Sequence, residues 1–131
     1  MAINVLPYDG AHAFANNRPY ADIFCHGVKG KIAKPFHLSA LIDSGADHLE
    51  LPNKVAQQLG INLATYPSHQ VLTAGGYFPV TVVNGFTVDI EGKLVVVTAH
   101  FLAISTALLG LRAFLAAIDL GLDTTQWLYR K

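Results

Sequence analysis

The sequence predicts a mainly β domain: a single antiparallel sheet that closes on itself or folds into a sandwich, with one or two short helices. Three observations predict it. Segments rich in β-branched and aromatic residues recur from Tyr20 to Tyr129, the composition expected of strands. Turn signals separate them at short intervals, among them Gly27, Gly75-Gly76, Asn84-Gly85 and Glu91-Gly92. No helix-length periodic segment lies among the strands of the second half, so neighbours join through tight turns, as antiparallel strands do. At 131 residues the chain makes one domain, long enough to bury about two-thirds of its unfolded surface.

Residues 1–18 form an N-terminal arm without clear period, although Ile3-Asn4-Val5-Leu6 suits a short strand and Asp9-Gly10 a turn. The domain proper is expected over 19–131. Tyr20 to His26 reads as a strand ended by Gly27, Val28 to Lys31 as a turn, and Lys34 to Ile42 as a second strand. Leu51-Pro52 opens a short helix over Asn53 to Leu59, because proline fits a first helical turn, and Gly60 stops it. Val55, Ala56 and Leu59 would face the core at helical spacing. Gln70 to Ala74 and Tyr77 to Val83 flank Gly75-Gly76, a two-glycine hairpin tip. Asn84-Gly85 is a strong hairpin signal leading into Phe86 to Ile90, and Glu91-Gly92 turns the chain into Leu94 to Ile104. Arg112 to Ile118 reads as a second short helix, Gly121 as a break, and Thr125 to Tyr129 as a terminal strand. The strand-turn-helix grammar occurs twice, around Asp43 and around Gly110, a faint twofold echo.

Composition excludes several classes of function. Nine basic and nine acidic residues balance, leaving no electrostatic footprint for nucleic acid or an anionic membrane surface. Residues are 52% hydrophobic and only 14% charged, which points to a surface covered by a second subunit. Cys25 is the only cysteine, so no internal disulfide forms and a reducing, cytoplasmic setting is expected. The N-terminus lacks a secretory pattern, and the longest apolar run, Phe101 to Leu111, is interrupted by Ser105, Thr106 and Gly110. The six histidines, 12, 26, 37, 48, 69 and 100, show no close ligand spacing, so no metal or other cofactor is expected. His48 lies nearest Asp43 and is placed to tune local charge, a solvated loop position being its plainer reading. Gly27-x-x-Gly30 lacks the rest of any nucleotide motif, and Ser44 lacks the elbow of a hydrolase nucleophile.

The chain is organised around Leu38-Ser39-Ala40-Leu41-Ile42-Asp43-Ser44-Gly45-Ala46-Asp47. An apolar strand stops abruptly on an acid, a hydroxyl and a glycine. A carboxylate at the end of such a strand is costly unless hydrogen bonds receive it. Glycine lets the backbone turn so that main-chain N–H groups point back at the acid, and serine adds a donor. Taken alone, the three residues also suit a loop aspartate capping a turn. Ala46 after them, the two-glycine hairpin, and then Ala107-Leu108-Leu109-Gly110-Leu111 complete a longer pattern. This pattern resembles the retropepsin-like aspartic proteases, the family of retroviral proteases and their cellular and bacterial relatives. Their signature is a hydrophobic strand ending in Asp-(Thr/Ser)-Gly-Ala, a glycine-bearing flap, then Ile/Leu-Leu-Gly before a short helix. The resemblance extends over roughly Pro19 to the C-terminus.

The resemblance implies a closed, barrel-like acid protease domain that hydrolyses extended peptides. Such hydrolysis needs two carboxyls sharing a proton, one activating water and the other polarising the scissile carbonyl. The chain has a single Asp-Ser-Gly, so the second acid would be Asp43 of another copy across a twofold axis. Asp43, Ser44 and Gly45 are the implied catalytic loop, with Ser44 bonding across the pair and Gly45 leaving room for substrate. Ala46 and Asp47 would line the groove, and Ala74, Gly75, Gly76 and Tyr77 would form the flap that closes over substrate. Leu109, Gly110 and Arg112 are implied as structural support. Ala40, Ile42, Leu72, Tyr77, Phe78 and Leu109 are candidate pocket walls, with core packing the plainer role for each. The family usually carries Arg-Asp/Asn, or an apolar residue and Asp, after the glycine; here Leu111-Arg112 stands there. Arg112 would then pair with Asp47 or Asp119, or the dimer would be braced differently. The N-terminal arm is a possible part of the interface. Two other readings fit the same composition: a dimeric peptide-binding or assembly module that cleaves weakly or not at all, and a purely structural barrel subunit.

Overall fold

The computed structural model describes residues 8–115 and 117–131. Its strands are β1 (Gly10–Ala13), β2 (Tyr20–Gly27), β3 (Phe36–Asp43), β4 (Leu49–Pro52), β5 (Ser68–Thr73), β6 (Gly76–Ile90), β7 (Lys93–Leu102), β8 (Ala107–Gly110), β9 (Asp119–Leu122) and β10 (Gln126–Arg130), with short helices α1 (Asn53–Gln58) and α2 (Leu111–Leu115). The expected strand over Ile3 to Leu6 lies outside the described residues.

Strand alternation builds the core. In β2, Ala21, Ile23 and Cys25 are buried while Asp22 and Phe24 are exposed, the period of a sheet with one face inward. Six strands close a barrel in the order β2-β3-β8-β4-β7-β6, with β6 returning to pair with β2. Phe86 and Phe101 meet edge to face inside it, ring centroids 5.9 Å apart, a favoured aromatic arrangement. β5 lies outside the ring as the outer arm of a hairpin with β6.

The sheet is not wholly antiparallel as expected: β3 pairs with β8, and β4 with β7, in parallel. The reason is an interlock. β8 sits between β3 and β4, and β4 sits between β8 and β7, so each returning strand fills the gap left by the other half. Exchanging β3 with β7, β4 with β8 and α1 with α2 reproduces every one of these pairings. The registers equate Ala40 with Ala99, Asp43 with Leu102, and Pro52 with Gly110. The twofold echo in the sequence is therefore a property of the fold.

Four further differences have local causes. Asn84-Gly85 does not turn a hairpin; β6 runs straight through it with a register shift between Val83 and Phe86. The positive φ of Gly85, 70°, serves a bulge there, and Thr98 donates to Asn84 Oδ1 at 2.8 Å across it. The flap hairpin turns through Ala74-Gly75, one residue before the expected tip, since Thr73 and Gly76 form its last pair. Leu49–Pro52 is a strand, with Pro52 ending it at the entry to α1. Gly121 lies inside β9 rather than breaking it, and a Cβ there would meet the Tyr8 hydroxyl at 2.5 Å, the close approach that glycine in a strand often marks. Glu91-Gly92, by contrast, turns as expected, both residues at positive φ.

Beneath the barrel β1, β10 and β9 form a second, three-stranded sheet. Residues 10–13 of the arm thus pair with the C-terminal strand of their own chain. Trp127 pins this sheet to the barrel: its ring is fully buried against Phe114, and its indole N–H donates to the Tyr20 carbonyl at 2.9 Å.

Candidate active site

Asp43 is the last residue of β3 and shares with Leu41 the face opposite buried Ala40 and Ile42. The strand therefore presents the acid at its end, half-buried, away from the core. The Gly45 N–H donates to Asp43 Oδ1 at 2.9 Å, and the Ala46 N–H to the Asp43 carbonyl at 3.2 Å. A Cβ on Gly45 would come to 3.3 Å from the same carboxyl oxygen. Ser44, Gly45 and Asp47 are exposed and Ala46 is half-buried, so the loop offers its polar groups outward.

The second half clamps this loop. The Gly110 N–H donates to the His48 carbonyl at 3.1 Å, Leu111 to Ala46 at 2.9 Å and Arg112 to Asp47 at 3.1 Å. The first N–H groups of a helix lack partners within it; here the carbonyls of the acid loop accept from the start of α2. Gly110 makes the approach possible, because a Cβ would lie 2.5 Å from the His48 oxygen and 2.6 Å from that of Ala46. Leu109 is fully buried below. Arg112 braces the loop through its main chain and not its guanidinium. Among the described residues that side chain has no ion pair, and Asp119 is taken by Arg130.

The β5–β6 hairpin carries Ala74, Gly75, Gly76 and Tyr77 at its tip. Gly76 adopts φ 111°, a conformation that side-chain-bearing residues avoid. Leu72 and Tyr77 flank the tip with 66% and 69% of their surface exposed. Of the candidate pocket walls, Ala40, Ile42 and Leu109 belong to the core, while Phe78 lines a real pocket.

That pocket, about 400 Å³, lies between the hairpin and the loop after β7. Phe78, Val71, Val80, Leu102 and Ile104 supply apolar walls, and Glu50, His69 and His100 the polar ones. Sequence reasoning missed Glu50 and His100. The signal was a charged residue between two buried leucines, Leu49 and Leu51, but only the β4–β7 pairing sets Glu50 opposite His100. Burial chiefly, and then the charge of Asp43, push the Glu50 carboxyl above its usual value, with His48 opposing. Burial, then His48 and His69, hold His100 below the ordinary histidine value. The His48 and His100 rings lie 4.7 Å apart.

Other candidate groups serve structure. Burial pushes the Cys25 thiol up to about 12, which removes it as a nucleophile. His26 accepts the Ile32 N–H through Nδ1 at 3.0 Å. Among the described residues no group of three His, Cys, Asp or Glu is arranged to hold a metal ion, and no helix is long and apolar enough to cross a membrane.

Residues 28–113, which hold the acid loop, the hairpin and the clamp, match a family model described as aspartyl protease. The chain belongs to the aspartyl protease family. Its fold is shared with a retropepsin-like aspartic protease from Rickettsia conorii, whose crystal structure superposes with a TM-score of 0.70 at 21% identity, covering 91% of this chain and 98% of that one. No curated protein matches the chain in sequence. Asp43 lies inside the matched stretch, and its loop is closed by main-chain bonds from residues of the opposite half.

Proposed function

We propose that the chain is an aspartic endopeptidase that works as a homodimer, each copy giving one Asp43 to a carboxyl pair. One observation carries the reading. Asp43 stands at the end of β3, and the equivalent position in the same chain, at the end of β7, is Leu102. β3 and β7 are three strand spacings apart around the barrel, roughly 14 Å. The equivalent position thus supplies no second acid from within the chain, and a twofold axis beside the exposed Ser44-Gly45 loop brings Asp43 to its own counterpart.

In that pair the ionised carboxyl takes a proton from water as the water oxygen attacks the scissile carbonyl. The protonated partner gives its hydrogen to the carbonyl oxygen, and collapse of the tetrahedral species returns a proton to the leaving amine. Ser44 bonds across the two loops and Gly45 leaves space for the peptide backbone. Ala46 and Asp47 line the groove, with Asp47 accepting from substrate N–H groups. Ala74, Gly75, Gly76 and Tyr77 close over an extended peptide bound as an added strand, excluding water. Leu109, Gly110 and the main chain of Arg112 keep the loop in place. The N-terminal arm contributes to the interface through the sheet of β1, β10 and β9, whose edge strand carries exposed Leu122. A single buried thiol suits a cytoplasmic enzyme.

The test is cleavage of a mixed peptide library against pH, with the mass in solution measured alongside. Activity below neutrality that disappears in Asp43→Asn while the dimer remains is the expected result. Peptide binding without turnover would leave a binding module, and a chain that stays monomeric with peptide present would end the proteolytic reading.

A further inference from the structure

The pocket under the hairpin is bordered by a polar pair whose counterpart in the other half of the barrel is apolar. Glu50 and His100 are register partners on β4 and β7; the matching pair on β8 and β3 is Leu108 and Leu41. The Glu50 carboxylate is half-buried and makes no hydrogen bond or ion pair among the described residues. It lines a cavity of about 400 Å³ whose other walls are mostly apolar: Val71, Phe78, Val80, Leu102 and Ile104. A carboxylate partly withdrawn from water and left unpaired is costly. An apolar side chain entering the pocket would strip it of its remaining water and return nothing. A long side chain with a charged nitrogen at its tip would cover the apolar walls with its methylenes and give the carboxylate a charge-assisted bond.

We propose that Glu50 makes this pocket selective for a peptide side chain with a cationic tip, lysine or arginine, over an apolar one of the same length. The proposal rests on the groove binding extended peptides, as set out above. The groups around Glu50 fit it. Asp43 at the end of β3 adds negative charge, and β6 contributes only Phe78 and Val80. Three imidazoles face the region, His48 from the acid loop, His69 from β5 and His100 from β7. With its proton affinity lowered by burial and by the other two, His100 is neutral near pH 7 and does not neutralise Glu50. Acid reverses the balance: His100 gains a proton, Glu50 loses its charge, and the preference for a cation fades.

The experiment uses fluorescent peptides identical except for one position, carrying Lys, Arg, norleucine or Glu, with that position moved along the peptide. Binding is read by anisotropy and cleavage by mass spectrometry, with the full chain at pH about 8 and about 5. At one position Lys and Arg should outdo norleucine by about tenfold at the higher pH, and by less at the lower. Glu50→Gln should bring the three to parity, and Glu50→Lys should move the preference to the Glu peptide. Equal binding of all four peptides at every position, or a basic preference that survives Glu50→Gln, would overturn the proposal while leaving proteolysis intact. A folded chain that neither binds nor cleaves any peptide would overturn both.

Discussion

In the first half of the barrel, β3 runs to an exposed loop, β4 returns and α1 follows; in the second, β7, a loop, β8 and α2 do the same. Matching positions carry matching core residues, Ala40 with Ala99, Ile42 with Phe101, Leu51 with Leu109, all buried. They carry unlike residues at the half-buried positions and where each return strand enters its helix. Asp43 ends one lead strand and Leu102 the other; Pro52 precedes α1 and Gly110 precedes α2; Glu50 faces His100 where Leu108 faces Leu41. Packing thus constrains both halves alike, while the chemistry is divided between them. One half holds the acid, and the other holds the loop that bears it.

The largest effect should come from the acids. Asp43→Asn should lower kcat by about a thousandfold or more. Adding Leu102→Asp should not restore it, because an acid on β7 is on the opposite side of the barrel from β3; recovery of cleavage in the double variant would show that one chain can assemble its own pair. Next comes the clamp. Gly110→Ala drives a Cβ into the His48 and Ala46 backbone and should cost about 3 kcal/mol by urea unfolding. Its counterpart Pro52→Ala, with no such contact to make, should cost about 1 kcal/mol.

The titrating pair gives smaller effects of opposite sign. Folded His100 takes its proton at a lower pH than the unfolded chain, whose histidines titrate near about 6.5. The unfolded state therefore binds more protons below that value, and stability falls as pH drops through it. His100→Asn should flatten this slope, seen as a smaller difference in urea midpoint between neutral and acid solution. Folded Glu50 takes its proton at a higher pH than the unfolded carboxyl, so its stability contribution is present in acid and lost as pH rises. Glu50→Gln should stabilise the chain near neutrality by only about 0.3 kcal/mol, since solvent screens a half-exposed group, and not at all well below the carboxylate range.

The acid loop was legible because its signal is local: strand, acid, hydroxyl and glycine are consecutive, and each is needed for a mount of that shape. β2, β3, β7 and the Glu91-Gly92 turn were legible for the same reason. β4 and β8 are four residues each and are held by parallel partners far along the chain, so nothing nearby announces how they pair. Asn84-Gly85 misled because a glycine at positive φ serves a bulge as well as a turn. The Glu50 pocket was hidden for a related cause: its walls come from β4, β5, β6, β7 and the loop beyond, and only the barrel brings them together.

The interlocked return strands have a kinetic consequence. Neither half can complete its hydrogen bonding before the other arrives, so a half-folded intermediate would leave the edges of β3 and β7 bare. Amides of β4 and β8 should consequently exchange with deuterium only through global opening. Refolding should be slow for a chain of this size, its rate set by the search that brings distant segments side by side.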